Sequence, residues 1–261
     1  MPARRTCRCD GTSSGRHTDA YKPDCRAGCR VSVSDAVSGP GQHTSGMTTH
    51  AGTEPFSEID AYTLGDAARR RSTGGVISRL KPQTAGTSFV GRALTARVLV
   101  EPHRDIPVAE YGAGKLLDQI KPGDVVVLDG GGVALTVWGD LATAVLQARG
   151  GAAAVINAYV RDIEVIDPEF PLFATGVGIV SVAGHGVVAD VGQPIELEGI
   201  RIRTGDLIAG CAGGIVSVPW QDRIEVLEQC LTLLDTDRRV RNGITNGGAI
   251  SELWHQHKSA L

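Results

Sequence analysis

Residues 138–162 read WGDLATAVLQARGGAAAVINAYVRD, and the fold class follows from them. Asp140 to Arg149 has the spacing of a helix, opened by Gly139-Asp140-Leu141 and stopped by Gly150-Gly151. AAAVINAYV, residues 152–160, is then short, apolar and bounded by glycine, which predicts a buried strand. Upstream, Pro122-Gly123-Asp124 turns into VVVLDGG, a β-branched run that predicts a second buried strand. AEYGAGKLLDQI before it reads as a helix, FVGRALTARVLV as an alternating strand, and Ile59 to Arg71 as a first helix capped by Asp60 or Thr63. Downstream, PLFATG, GIVSVA, PIELEGIRIRTGDLIAG and GGIVSVP read as short strands, and Arg223 to Arg241 as a terminal amphipathic helix. Helix and strand alternate, then strands dominate. That order predicts an α/β core closed by a β-rich half.

Composition narrows the function classes. Aromatics are scarce at 4%, so the core must be built mainly from Ala, Val, Leu and Ile. A net charge of −3 gives no basic footprint for nucleic acid or a membrane surface. No apolar run approaches the ~18 residues that span a bilayer, and no apolar signal region opens the chain. The expected compartment is the cytoplasm. Residues 1–55 lack apolar periodicity and are expected to be a disordered extension, dispensable for folding and catalysis, with Met47 offering itself as a natural start. Cys7, Cys9, Cys25 and Cys29, with His17 between them, are not spaced like a standard zinc knuckle pair. Cys211 and Cys230 are expected as reduced core residues. The domain should run over 56–245, followed by a flexible tail, 246–261.

Three constellations could carry chemistry. VLDGGGVAL (127–135) places an acid and glycines after a strand, but matches neither a Rossmann fingerprint nor a methyltransferase cofactor loop. It also suits a tight loop that lets a ligand or chain approach the backbone. Asp140, taken alone, is a capping acid, although the same helix start exposes N–H groups to an anion. Arg161-Asp162, taken alone, is a surface turn. If VVVLDGG and AAAVINAYV are parallel neighbours, however, Asp129, the Gly130–Gly132 loop, Asp140 and Arg161-Asp162 gather at the carboxyl edge of one sheet. Oxygen donors without His or Cys suit Mg²⁺ or Mn²⁺.

Asp140, twenty intervening residues and Arg161-Asp162, with the Gly-Asp-Leu helix start, resemble the pattern of one family. It comprises the 4-hydroxy-4-methyl-2-oxoglutarate aldolases and the regulator of ribonuclease E activity A. FVGRALT, PGDVVVLDGGG, FPLFATG, EGIRIRTGDLIAG and GGIVSVP extend the likeness over roughly 59–241. The resemblance implies a single compact α/β domain with a mixed β core and flanking helices, of the swivelling β/β/α kind. It further implies a metal-dependent lyase that releases pyruvate from 4-hydroxy-2-oxo acids and decarboxylates oxaloacetate.

By the same resemblance, Asp162 ligates Mg²⁺ or Mn²⁺ directly and Asp140 does so through water. Arg161 binds the carboxylate and keto oxygen of the 2-oxo acid, with Gly139 and the amides of Leu141 and Ala142 completing that pocket. The assembly is a homotrimer or dimer of trimers, with Asp235 or Asp237 donated by a neighbouring subunit. Three departures stand out. Asn157-Ala158 replaces the usual Asp-Gly, GCAGG (210–214) replaces an acidic loop and leaves Cys211 where Asp is frequent, and the donated acid is Asp rather than Glu. The alternative is a non-catalytic ring that binds an RNA-degrading enzyme; the intact Asp-to-Arg-Asp block favours the enzyme.

Overall fold

In the computed structural model, residues 51–101 and 105–258 are described; the proposed start at Met47 and the four N-terminal cysteines with His17 lie outside them. Asp60 stands in extended backbone and accepts hydrogen bonds from Thr63 N (2.9 Å) and Thr63 Oγ1 (2.8 Å). It thereby caps α1 (Ala61–Arg70). The chain continues through β1 (Gly75–Ile77), β2 (Lys81–Pro82), β3 (Phe89–Val100), α2 (Ala113–Leu117), β4 (Asp124–Asp129) and β5 (Thr136–Trp138). Next come α3 (Asp140–Ala148), β6 (Ala153–Val160), β7 (Leu172–Val177), β8 (Gly186–Ala189), β9 (Ile195–Leu197) and β10 (Ile200–Ile202). β11 (Leu207–Cys211), β12 (Gly214–Val218), α4 (Arg223–Thr245) and α5 (Ile250–Lys258) complete it.

Among the described residues ten strands form one mixed sheet in the order β1-β12-β11-β3-β4-β6-β7-β2. β3, β4, β6 and β7 run parallel; the outer strands pair antiparallel. β5 also pairs parallel with β6, and β8 pairs with the far half of β3. β4 and β6 are buried on both faces, which is why both read as near-continuous apolar runs. Alternation divides their side chains. Val126, Leu128, Ala154 and Ile156 pack with Leu116 of α2 and Leu146 of α3. Val125, Val127, Ala153 and Val155 pack with Ile195, Leu197 and Ile202 of the β9–β10 hairpin. At the other end of the sheet, Leu207, Ala209, Val216 and Val218 hold α1 and α4. The result is a single α/β domain, its sheet between helices and a hairpin.

The Gly150-Gly151 stop has two distinct causes. Gly150 takes a left-handed φ of 75°, and a Cβ on Gly151 would lie 2.1 Å from Leu146 Cδ1. Leu146 is fully buried there, and truncating it to Ala should cost about 2–5 kcal/mol.

Four expectations shift. AEYGAGKLLDQI yields only the five-residue α2, because Gly112 stands left-handed at φ 75° immediately before it. GIVSVA is not a strand, although Ser181 makes an isolated bridge to Thr136. Residues 51–55 belong to the domain, with Thr53 buried, rather than to the extension. The tail is not featureless either: α5 packs back on α4, with Leu253 against Gly243. Among the described residues no helix is long and apolar enough to cross a membrane.

Candidate active site

Register explains why residues so far apart in sequence meet. β5 and β6 are parallel, with Trp138 opposite Val160, and Arg161 N donates to Trp138 O at 3.1 Å. Two residues further on, each strand delivers an aspartate: Asp140 from β5 and Asp162 from β6. Gly139 is the point of closest approach. A Cβ there would lie 3.2 Å from both Arg161 Cγ and Asp162 Oδ2, so the bare backbone lets the pair lie against the corner.

Asp162 holds a left-handed φ of 57°, which few residues other than Gly adopt. Strained backbone of this kind collects at functional sites. Its Oδ2 lies 3.0 Å from Arg161 Nε, and both side chains are roughly half exposed. The Arg161 Nη groups and Asp162 Oδ1 meet no partner among the described residues, so both keep a face for something else.

Asp140 does not cap its helix. The N-cap of α3 is Gly139, without a side-chain cap, and Asp140 is the first helical residue. The first donor into the helix is Thr143 N, bonded to Gly139 O at 3.0 Å. The N–H groups of Asp140, Leu141 and Ala142 therefore point out of the helix end with no acceptor among the described residues, the positive pole of the helix. Three further residues shape this corner, and the sequence alone did not single them out. Trp138 Nε1 donates to Thr143 Oγ1 (2.9 Å), Thr143 Oγ1 donates to Gly139 O (2.9 Å), and Tyr111 Oη donates to Val137 O (3.0 Å). Burial pushes the Tyr111 hydroxyl up to about 12. The available signal was Thr143 itself, four residues beyond the helix-opening glycine.

The expected parallel pairing of β4 and β6 is present, with Asp129 opposite Asn157. Asp129, however, serves its own loop. Its Oδ1 accepts from Asn157 Nδ2 (2.8 Å) and Gly131 N (2.9 Å), and its Oδ2 lies 3.8 Å from Arg97 Nε. This accounts for Asn157 where the resemblance leads one to expect Asp: a second carboxylate at this distance from Asp129 would repel it, whereas the amide donates. Gly130 N and Gly132 N both donate to Asn157 O, so the glycine loop is anchored at its base.

Asp235 and Asp237 lie on α4, which packs on α1 and α5 at the β11–β12 end of the sheet. Asp235 pairs with Arg239 at 2.7 Å. Within one chain, then, neither is brought to Arg161-Asp162. Cys211 and Cys230 are free and buried as expected. No cluster of three or more His, Cys, Asp or Glu side chains placed for a metal occurs among the described residues.

The family model described as RraA-like, Aldolase/RraA, matches residues 33–217. The chain belongs to that family. The RraA-like match starts upstream of Met47. Protein DlpA of Legionella pneumophila is 29% identical over 182 residues, 69% of this chain; the match spans only 29% of that longer protein. A Halalkalibacterium halodurans protein, provisionally named a 4-hydroxy-4-methyl-2-oxoglutarate aldolase, is 30% identical over 58% of this chain and 70% of its own length. Among solved structures, an uncharacterized protein of Pseudomonas syringae is 29% identical with a TM-score of 0.67, covering 77% of this chain and 94% of that one. Streptomyces coelicolor RraAS2, described as an unusual member of the RNase ES inhibitor RraA family, shares the RraA-like fold at 19% identity and a TM-score of 0.64, over 77% of this chain and 99% of that chain.

Proposed function

We propose that this protein is a divalent-metal-dependent lyase that cleaves 4-hydroxy-2-oxo acids of the 4-hydroxy-4-methyl-2-oxoglutarate type to pyruvate and decarboxylates oxaloacetate. The observation that carries the reading is the shared corner. An uncapped helix start, Asp140, and the half-exposed Arg161-Asp162 pair all converge on Gly139. Asp162 offers a half-exposed carboxylate and Asp140 a second one, an all-oxygen donor set that suits a hard cation retaining most of its waters. Asp162 would hold Mg²⁺ or Mn²⁺ directly and Asp140 through water; a bound cation supplies Lewis-acid stabilisation of charge on the substrate's 2-oxo group.

The chain's own groups account for the rest. The Arg161 fork takes the carboxylate and 2-oxo oxygens and stabilises negative charge as it develops. The Leu141 and Ala142 amides, at the positive end of α3, hold the same carboxylate. In retro-aldol cleavage the 4-hydroxyl proton leaves to a base as the C3–C4 bond breaks, and the electron pair passes to the pyruvate enolate. The base is a water polarised by Asp140 or by the donated acid. Decarboxylation reaches the same enolate by loss of CO₂ and needs no base, so it is the more robust activity.

The homotrimer, or dimer of trimers, belongs to the same proposal. Asp235 and Asp237 are remote from their own chain's corner, so one of them would serve a neighbour's. The aliphatic side chains of Leu141 on α3, Val165 after β6, and Ile179 and Val180 after β7 stand exposed, apolar surface of the sort that subunits cover.

The test is pyruvate release from oxaloacetate and a panel of 4-hydroxy-2-oxo acids, with Mg²⁺ and with chelator. Metal-dependent release is expected. No release from any of them, under conditions where the protein is folded, would overturn the reading in favour of a binding protein.

A further inference from the structure

We propose that Thr143 is a positioning residue for the 2-oxo acid site, its hydroxyl fixing the peptide that turns β5 into α3. The inference rests on the lyase reading above and concerns how that site keeps its shape without a helix cap.

A helix start is normally oriented by a side chain at its N-cap, as Asp60 orients α1. α3 has glycine there, where an added Cβ would lie 3.2 Å from Arg161 Cγ and Asp162 Oδ2 and crowd that pair. Asp140 does not fold back to substitute. The orientation instead comes from inside the helix. Gly139 O accepts from both Thr143 N (3.0 Å) and Thr143 Oγ1 (2.9 Å), and Thr143 Oγ1 accepts from Trp138 Nε1 (2.9 Å). Thr143 is 1% and Trp138 4% exposed, so water does not compete for these bonds. The peptide unit is planar, so holding Gly139 C=O into the helix fixes the opposite direction of Asp140 N–H, out of the helix end beside the Leu141 and Ala142 amides that the proposed site uses. Tyr111 Oη holds Val137 O on the strand side of the same corner. The relay itself runs from Trp138 Nε1 through the Thr143 hydroxyl to Gly139 O, with Thr143 as its middle member.

The competing account is ordinary. Thr often bonds back to the carbonyl four residues earlier, and a buried indole N–H needs some acceptor. In that case removing the hydroxyl lowers stability and leaves substrate affinity alone. The experiment compares Thr143→Val, which keeps shape and loses the hydroxyl, with Thr143→Ser, which keeps the hydroxyl. Oxaloacetate kinetics, oxalate binding in the presence of Mn²⁺ and melting temperature are measured for each. A misplaced binding group should raise KM and the oxalate Kd about ten-fold in Thr143→Val, more than it lowers kcat, while Thr143→Ser stays within about two-fold of the parent. Trp138→Phe, which removes the donor but not Thr143, should move both in the same direction by less; it decides the matter if Thr143→Val does not fold. Parental KM and oxalate affinity in Thr143→Val, or equal impairment in Thr143→Ser, would overturn the inference. A parent protein that binds oxalate but releases no pyruvate overturns the lyase reading alone, with oxalate affinity judging Thr143. A parent that binds no oxalate overturns both.

Discussion

α1 and α3 both begin beside an aspartate, and the two aspartates do opposite things. Asp60 is the N-cap of α1 and spends its carboxylate on Thr63, backbone and side chain. Asp140 sits one position later, inside α3, and its carboxylate meets no described partner while the helix amides beside it stay open. One acid completes the fold; the other leaves the helix end unfinished where Arg161 and Asp162 arrive. An aspartate at a helix start is therefore informative only when its exact position is known, and a shift of one residue separates a structural acid from a candidate functional one.

The contrast is most severely tested at Asp162. Asp162→Ala should reduce pyruvate release by orders of magnitude, with little recovery at excess Mg²⁺, because the proposal makes Asp162 the direct metal ligand. Full activity in that variant would end the lyase reading. Arg161→Lys keeps the charge and loses the planar fork. Mn²⁺ binding, followed by electron paramagnetic resonance, should survive while turnover falls about 10²-fold, the scale of losing one charge-stabilising donor. Asp140→Asn should lower metal affinity or turnover about 10–100-fold with little change in melting temperature. Asp60→Ala should do the reverse, costing about 1 kcal/mol of stability and leaving turnover alone. If the Asp60 and Asp140 variants behave alike, the distinction between the two helix starts fails.

The smallest effect expected is with pH. Burial, and then the charge of Asp60, push the Cys230 thiol from 9.0 up to about 12. Burial pushes Tyr111 from 10.0 to about 12. Both groups are raised in the folded state, so the stability they contribute is complete below pH 9 and drains away as pH climbs toward 12. Melting temperatures should hold steady up to about pH 9 and then decline, the decline being shallower in Cys230→Ala and in Tyr111→Phe. Cys230 should also resist thiol reagents in the folded protein at pH 8.

Long apolar runs made the sheet legible. VVVLD and AAVINAYV read as buried strands, while their parallel pairing was a condition of the reading that the β4–β6 register meets. β5 was not legible, because Thr136-Val137-Trp138 is three residues long and stands behind a glycine loop that hides its period. β8 escaped for a similar reason: Gly186–Ala189 belongs to the sheet through pairing with the far half of β3, a tertiary fact. At the site, the spacing of Asp140 and Arg161-Asp162 was visible, but the position of Asp140 within its helix was not, since Gly139 and Asp140 are both acceptable caps. The Trp138–Thr143–Gly139 relay was invisible for another reason: a buried threonine and tryptophan carry no pattern until their partners are placed.

The glycine loop between β4 and β5 has a consequence for how this chain can change. β4 leaves β6 at Asp129 opposite Asn157, and β5 rejoins it at Thr136 opposite Tyr159. Six residues, 130–135, thus lie outside the ladder opposite Ala158 alone. Both ends of the detour are fixed by strand register, so its length is uncoupled from the geometry of Gly139 and Arg161. Gly130 and Gly132 donate to Asn157 O and Gly131 N to Asp129 Oδ1, so among the described residues the stretch free of such bonds is Val133–Ala134, and doubling such a loop there costs only about 0.6 kcal/mol in closure entropy. Changes of loop length can enter at Val133–Ala134 while the rest of the sheet stays as it is.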